Sequence, residues 1–160
     1  MGRAGIPQCT LEQYEQEFSG RHLVHGVVAW WAARKPGEPA LIHPARGKVT
    51  SWGAFDAAST QIAKRLLGTG FRKGDFLGTV LPFVAEHILL EYACFKIGVV
   101  LAPLDLRLRP AEIVAALAAI RAKGFAGPAE ACELVRKECP FVASVLPLVP
   151  GAEFGGTAAP

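Results

Sequence analysis

The sequence lacks the short motifs that usually mark a nucleotide, metal or nucleophile site. It contains no G-x-x-x-x-G-K-[ST] phosphate loop and no G-x-S-x-G nucleophile elbow. Its four cysteines form no Cys-x-x-Cys pair, and His22 and His25 have no acidic or cysteine neighbour at ligand spacing. We therefore predict no metal site and assign no catalytic residue within the chain.

Glycine is plentiful, but its main cluster is wrongly placed for dinucleotide binding. Residues 68–74 have the spacing G-x-G-x-x-x-G, and they follow a predicted helix and precede a predicted strand. Pyrophosphate binding needs the opposite order, because the glycines must lead into the N-terminus of a helix. We interpret this cluster as a helix end followed by a turn.

Charge and long apolar runs are also scarce. Charged residues make up 19% of the chain, the formal net charge is +3, and no run of five basic residues occurs. This pattern argues against a nucleic-acid partner. The longest apolar run, residues 97–103, is too short for a membrane span, and Arg3 is followed by polar and acidic residues instead of a signal-peptide core. We expect a soluble, cytoplasmic protein with reduced cysteines.

What the sequence does contain is an alternation of apolar strands and amphipathic helices. The predicted helices cover about 21–34, 52–68 and 84–97, with two more opening at Pro110 and Pro128; the predicted strands cover 76–81, 99–102, 125–126 and 142–146. Segments 40–43 and 48–51 flank a turn and predict a hairpin. A further short helix is possible near Leu11.

Strands that are apolar on both faces and alternate with helices are typical of a covered parallel sheet. We therefore predict an open, mostly parallel α/β sheet with helices on both faces and a small N-terminal β-hairpin. Residues 1–150 would form one α/β subdomain, and residues 151–160 have the composition of a linker or tail. In the helix over 84–97, Val84, Ile88, Tyr92 and Phe95 lie on one face.

The order of several short patterns resembles a known family. Residues 38–118 resemble the opening of the adenylate-forming, AMP-binding superfamily of acyl-CoA synthetases and aryl-CoA ligases. The patterns that carry the resemblance are Pro39–Ile42, Val49–Trp52, Ala63–Leu67, Phe71–Asp75, Val80–Pro82, Lys96–Val100, Ala102–Leu104 and Arg107–Ile113. Each pattern is weak alone, and their order and spacing make the set specific.

The resemblance implies a ligase that converts a carboxylic acid and ATP to an acyl-adenylate, with Mg²⁺, and then to an acyl-CoA thioester with coenzyme A. In that family the phosphate loop and the mobile C-terminal domain with its catalytic Lys lie downstream of this region. The chain would cover about a third of such an enzyme, the scale of one domain. We expect this chain alone to bind neither ATP, Mg²⁺ nor coenzyme A and to be inactive. The resemblance is to a family of enzymes, but it does not by itself make this chain an enzyme.

One site residue follows from the resemblance. In some CoA ligases the arginine in the loop after the Pro-Leu corner lies near the 3′-phosphate of coenzyme A, and Arg107 occupies that position here. The alternative is a solvated loop arginine with no ligand. The sequence departs from the family at two nearby places: Phe83-Val84 stands where Asn-Ser is common, and Asp105-Leu106 stands where Asn-Pro is usual.

Three functional hypotheses remain open at this point. The first is the N-terminal part of a CoA ligase, whose partner would be the remainder of the adenylation domain. The second is a free-standing, non-catalytic α/β module for protein interaction or for association with a second copy of itself. The third is a small flavodoxin-like nucleotide binder, which the missing phosphate loop disfavours.

Overall fold

A computed structural model describes residues 10–17 and 23–148. The predicted tail at 151–160 and the first residues of the helix predicted from 21 lie outside the described residues. Helix α1 covers Leu11–Glu17 and helix α2 covers Val24–Arg34. No helix in the described ranges is long and apolar enough to cross a membrane.

The predicted hairpin is confirmed. Strand β1 (Pro39–His43) pairs antiparallel with strand β2 (Lys48–Ser51), and a 3₁₀ turn joins them. Helix α3 (Trp52–Gly68) begins directly after β2, where the Ser51 hydroxyl accepts a hydrogen bond from the Ala54 backbone N–H at 3.3 Å. This contact caps α3, because it satisfies one of the free N–H groups at the helix start.

The central sheet contains strands β3 (Phe76–Thr79), β4 (Val100–Pro103), β5 (Gly124–Gly127) and β6 (Ser144–Pro147). The four strands are parallel and lie in the order β4-β3-β5-β6. The connections are helices α4 (Ala85–Ile97), α5 (Pro110–Ala119) and α6 (Ala129–Glu138). The predicted class, an open parallel α/β sheet with an N-terminal hairpin, is confirmed.

Two apolar cores lie on opposite faces of this sheet. Leu77 packs with side chains of α3 and α4, whereas Phe125 packs with side chains of α5 and α6, including Leu117 and Val135. All four side chains are fully buried. The helices therefore cover both faces, and the strands need no polar residues except at their ends.

The face of α4 that the sequence singles out is not the face that packs most deeply. Val84, Ile88, Tyr92 and Phe95 are only half-buried. The fully buried face carries Glu86, His87, Leu90, Ala93 and Cys94. Helix α4 packs against the sheet on one side and against α3 on another, so apolar residues surround it and their spacing alone does not reveal which face meets the sheet.

The adjacent tryptophans on α2 differ in burial, because neighbouring residues on a helix point in different directions. The Trp31 ring stacks on Trp52 at 6.0 Å and is half-buried. The Trp30 ring is 47% exposed and packs edge-on against Trp31, with the Arg34 guanidinium 3.9 Å from its centre. Trp31 therefore anchors α2 to α3, whereas Trp30 faces outward.

An ion pair fixes the start of β3 to the start of β5. The Asp75 carboxylate accepts hydrogen bonds from Lys123 Nζ at 2.6 Å and from the Arg72 backbone N–H at 2.7 Å. The hydrogen bond from Lys123 is the main reason that the pKa of Asp75 lies below its usual range. A carboxylate with a lowered pKa stabilises the fold above its unfolded-state pKa, and this contribution disappears as the pH falls through the folded-state value.

We predict that Asp75→Asn lowers the free energy of unfolding by about 1 kcal/mol at pH 7, because a charge-assisted hydrogen bond at a partly exposed site is lost. The difference from wild type should begin to shrink as the pH falls below about 4, the unfolded-state pKa, and should vanish once the pH is below the lowered folded-state pKa, where the wild-type carboxylate is protonated too. Urea unfolding at pH 7 and pH 3 measures both values. An equal difference at the two pH values would contradict this assignment.

Candidate functional site

The carboxyl edge of the sheet is where this topology places a ligand site. The chain runs from β3 outward to β4 and then returns past β3 to β5, so the strand order reverses between β3 and β5. Open α/β sheets bind ligands in the crevice outside such a reversal. The loops that leave this edge are residues 80–84 after β3, residues 104–109 after β4, and Pro128 after β5.

Backbone hydrogen bonds hold these loops together. The Leu104 N–H donates to the Thr79 carbonyl at 2.7 Å, and the Val80 N–H donates to the Ala126 carbonyl at 3.1 Å. Both bonds extend the sheet ladder by one residue beyond the strand ends. The first residues of each loop therefore have fixed positions, and side chains further along the loops project from a rigid base.

Arg107 lies in the loop after β4, as the sequence predicts. Its side chain is 89% exposed, and Asp105 contacts it from two residues away. The Arg107 Nε donates to Asp105 Oδ1 at 3.0 Å, and Nη2 donates to Oδ2 at 2.6 Å. The Arg107 backbone N–H also donates to Asp105 Oδ1, at 2.9 Å. The side-chain hydrogen bonds from Arg107 lower the pKa of Asp105 to about 2, so the carboxylate is ionised at neutral pH.

A second arginine–carboxylate pair follows at the start of α5. The Arg109 backbone N–H donates to Glu112 Oε2 at 2.8 Å, and Arg109 Nη2 donates to Oε1 at 2.9 Å. The first of these bonds satisfies an N–H just before the helix, and Pro110 at the first helical position needs none. The side-chain hydrogen bond from Arg109 lowers the pKa of Glu112. Both arginines of this loop are therefore paired with ionised carboxylates.

A buried polar pair lies at the reversal point itself. The Thr79 side chain at the end of β3 is fully buried, and His87 in the first turn of α4 is 8% exposed. Thr79 Oγ1 and His87 Nε2 are 3.1 Å apart and form a hydrogen bond. His87 Nδ1 is buried and has no hydrogen-bond partner among the described residues. We did not predict this pair from the sequence, although a Thr in an apolar strand was a usable signal.

The neighbouring Glu86 connects α4 to the hairpin. Its side chain is also buried, and its Oε1 lies 3.7 Å from Arg46 Nη1 in the 3₁₀ turn. An acidic residue in the first turn is favourable for the helix dipole. The contact with Arg46 gives Glu86 an additional role, because it attaches the hairpin to the carboxyl edge of the sheet.

A small cavity separates the hairpin from the start of α4. Its volume is about 150 Å³. His43 and Lys48 supply its basic groups, and Phe83, which is 83% exposed, stands at its rim. The remaining lining residues are Leu41, Ile42, Thr50, Val84, Ala85 and Ile88. This volume suits a few water molecules or a small group, and it is below the range of pockets that enclose a whole nucleotide.

The described cysteines are unsuited to thiol chemistry. Cys94, Cys132 and Cys139 are free and buried. Burial raises the pKa of Cys94 to about 12, and burial also raises the pKa of the other two. A thiol becomes a nucleophile only as the thiolate. Across residues 10–17 and 23–148, no three His, Cys, Asp or Glu side chains come together as a metal-ligand set.

The sheet order defines the protein class as an open parallel α/β scaffold whose strand order reverses between β3 and β5, the place where such sheets bind ligands. The model of the AMP-binding enzyme family matches residues 28–148, which is most of the chain. The chain belongs to this family.

Individual relatives agree with this assignment. The chain is 30% identical to acetyl-coenzyme A synthetase 1 of Candida albicans over 78 residues, or 46% of this chain and 12% of that protein. It is 30% identical to nonribosomal peptide synthetase 8 of Aspergillus fumigatus over 101 residues, or 62% of this chain and 1% of that protein. The structure of a Mycobacterium tuberculosis fatty acyl CoA synthetase superposes with a TM-score of 0.70 at 20% identity, covering 78% of this chain and 26% of that one. The chain thus spans only a small part of the relatives that it matches.

Proposed function

We propose that this chain is the N-terminal scaffold of an AMP-forming acid–CoA ligase. In such an enzyme a carboxylate attacks ATP and pyrophosphate leaves, and the acyl-adenylate then passes its acyl group to the thiol of coenzyme A as AMP leaves. The observation that carries the proposal is the family match over residues 28–148, which includes α3, all four parallel strands and the loops at their carboxyl edge. The similarity to acetyl-coenzyme A synthetase 1 favours a CoA ligase within the family.

The described residues do not fit a triphosphate. Gly70 and Gly74 adopt left-handed conformations in the turn between α3 and β3, at the amino edge of the sheet and away from the reversal crevice. The sequence also contains no phosphate loop. We therefore propose that ATP and Mg²⁺ are bound by polypeptide outside these 160 residues, and that this chain alone does not form an adenylate.

Arg107 is suited to a phosphate contact at the carboxyl edge. Its guanidinium is exposed, it lies on a loop with a fixed base, and the described contacts of Asp105 use only Nε and Nη2. The edge formed by Nη1 and Nη2 is therefore open to a second oxyanion, and paired donors of this kind suit phosphate. We assign Arg107 as the contact for the 3′-phosphate of coenzyme A, the cofactor whose thiol accepts the acyl group.

The exposed apolar face of α2 argues for a contact surface on this side of the chain. Leu23, Val24, Val27 and Trp30 are each about half exposed or more, and contiguous exposed apolar residues usually mark a contact surface. In the ligase proposal this face packs against the remainder of the adenylation domain. In the alternative, a free-standing interaction module, it packs against a second copy of this chain.

The coding sequence downstream of codon 160 tests the proposal and separates it from the alternative. The ligase proposal predicts that the reading frame continues into a Ser/Thr/Gly-rich loop followed by Lys, which would supply the phosphate cradle. A stop codon directly after Pro160 would contradict the proposal and would favour the free-standing module.

A further inference from the structure

The geometry of the β4–α5 loop puts a negative charge directly on the proposed phosphate contact. Asp105 approaches the Arg107 guanidinium side-on, with Nε at 3.0 Å and 3.3 Å from the two carboxylate oxygens and Nη2 at 2.6 Å from Oδ2. A guanidinium has two edges that can each bind an oxyanion with paired N–H donors. Asp105 occupies the edge formed by Nε and Nη2. Nη2 also belongs to the second edge, which it forms with Nη1.

The rest of the loop does not restore the positive charge. Arg109, the next cation along the loop, is paired with Glu112 at 2.9 Å. The two arginines and the two carboxylates of residues 105–112 therefore have a combined charge of zero. Since Asp105 has a pKa of about 2, its charge persists at every pH near neutrality. An incoming phosphate would meet a neutral pair at Arg107 instead of a free cation.

We propose that Asp105 sets the affinity of this site for phosphate: it partly neutralises Arg107, occupies one of its two donor edges, and keeps coenzyme A binding weak. This inference rests on the proposed role of Arg107 as the contact for the 3′-phosphate. Asp105 also orders the loop by accepting a hydrogen bond from the Arg107 backbone N–H. Its charge therefore lowers the affinity of Arg107 for phosphate, whereas its hydrogen bond holds the loop in place and favours binding. Both residues are exposed, so solvent screens the carboxylate charge and its effect on phosphate affinity is modest.

Asp105→Asn separates charge from geometry. The amide keeps an Oδ1 acceptor for the Arg107 backbone N–H but loses the negative charge. We expect this variant to bind adenosine 3′,5′-bisphosphate about two- to fivefold more tightly than wild type, the range expected when one exposed charge pair is removed. Asp105→Ala removes both the charge and the acceptor for the Arg107 backbone N–H, so its affinity for the bisphosphate should rise less than that of Asp105→Asn. Glu112→Gln removes an equivalent carboxylate from Arg109 and is the matched control, with an expected change of less than about twofold.

The measurement is a titration of the 160-residue chain, followed in ¹⁵N NMR spectra through the backbone amide signals of residues 104–109, which every variant retains, and through the Arg107 Nε–Hε signal where Arg107 is present. The chain supplies one arginine and no closed cleft, so dissociation constants in the millimolar range are expected. The probes are adenosine 3′,5′-bisphosphate, adenosine 5′-monophosphate and inorganic phosphate. If Asp105 limits the site, Asp105→Asn responds to the bisphosphate at lower concentration than wild type, and added salt reduces the gain.

The outcomes separate the inference from the function on which it rests. If wild type prefers the bisphosphate to the monophosphate and Asp105→Asn does not bind the bisphosphate more tightly than wild type, the role of Asp105 is wrong and the assignment of Arg107 stands. If neither wild type nor Asp105→Asn prefers the bisphosphate, or Arg107→Ala binds it equally well, the assignment of Arg107 fails and the inference fails with it.

Discussion

Gly124→Ala is expected to lower the free energy of unfolding by about 3 kcal/mol, the upper part of the range for overpacked cores. Gly124 opens strand β5 between β3 and β6. A Cβ at this position would overlap Phe71 Cζ and would lie 3.0 Å from the Ser144 carbonyl oxygen and 3.1 Å from Leu77 Cδ1. Phe71 and Leu77 are fully buried and have no free space to move into. The Ser144 carbonyl belongs to the paired backbone of β6 and cannot rotate away.

Urea unfolding and the melting temperature measure this effect, and the melting temperature should fall by about 10 °C for a domain of this size. Gly68→Ala is the matched control, because Gly68 lies at the end of α3 and nothing stands within 4 Å of its added Cβ. That variant should stay within about 0.5 kcal/mol of wild type or be slightly more stable. Equal stability of the two variants would show that β5 and β6 do not pack as described.

Thr79→Val has the second large expected effect, a loss of about 2 kcal/mol. The substitution preserves the shape of a fully buried side chain but removes the hydroxyl that pairs with His87 Nε2. The imidazole Nδ1 already has no hydrogen-bond partner among the described residues. The variant would therefore leave a buried imidazole with neither nitrogen bonded to the described part of the protein, and an unsatisfied buried polar group costs about 1–3 kcal/mol.

A double-mutant cycle tests whether this cost comes from the unpaired imidazole. Replacing both partners with apolar side chains of similar shape can be nearly neutral. Thr79→Val combined with His87→Leu should therefore recover most of the stability that Thr79→Val loses. Simple addition of the two single losses would instead mean that Thr79 and His87 are not coupled, and that the 3.1 Å contact contributes nothing to stability.

Most of the fold could be predicted from local sequence signals. The hairpin, the start of α3 at Ser51 and the start of α5 at Pro110 lie where turn residues, caps and proline placed them. Strand β3 ends at Thr79, two residues before its predicted end. The sequence alone does not show which face of α4 is buried, because apolar residues occur around the helix and the choice of face depends on the positions of the sheet and α3.

The site was predictable only where a residue carried a family pattern. Arg107 lies at the carboxyl edge as expected, but its pairing with Asp105 depends on the conformation of a loop that no periodicity describes. The Thr79–His87 hydrogen bond joins residues on opposite sides of a strand–helix connection, and spacing rules for one helix or one strand do not apply to such a pair. Two polar residues in otherwise apolar segments were the available signal.

The most direct test of the proposed scaffold role is ATP–pyrophosphate exchange by the purified 160-residue chain with a panel of carboxylic acids. Acetyl-coenzyme A synthetase 1 of Candida albicans with acetate serves as the positive control for the assay. We predict no acid-dependent exchange above background for this chain, because its described residues provide a sheet, a hairpin and one proposed phosphate contact but no cradle for a triphosphate. Exchange that depends on both the acid and this chain alone would contradict that role.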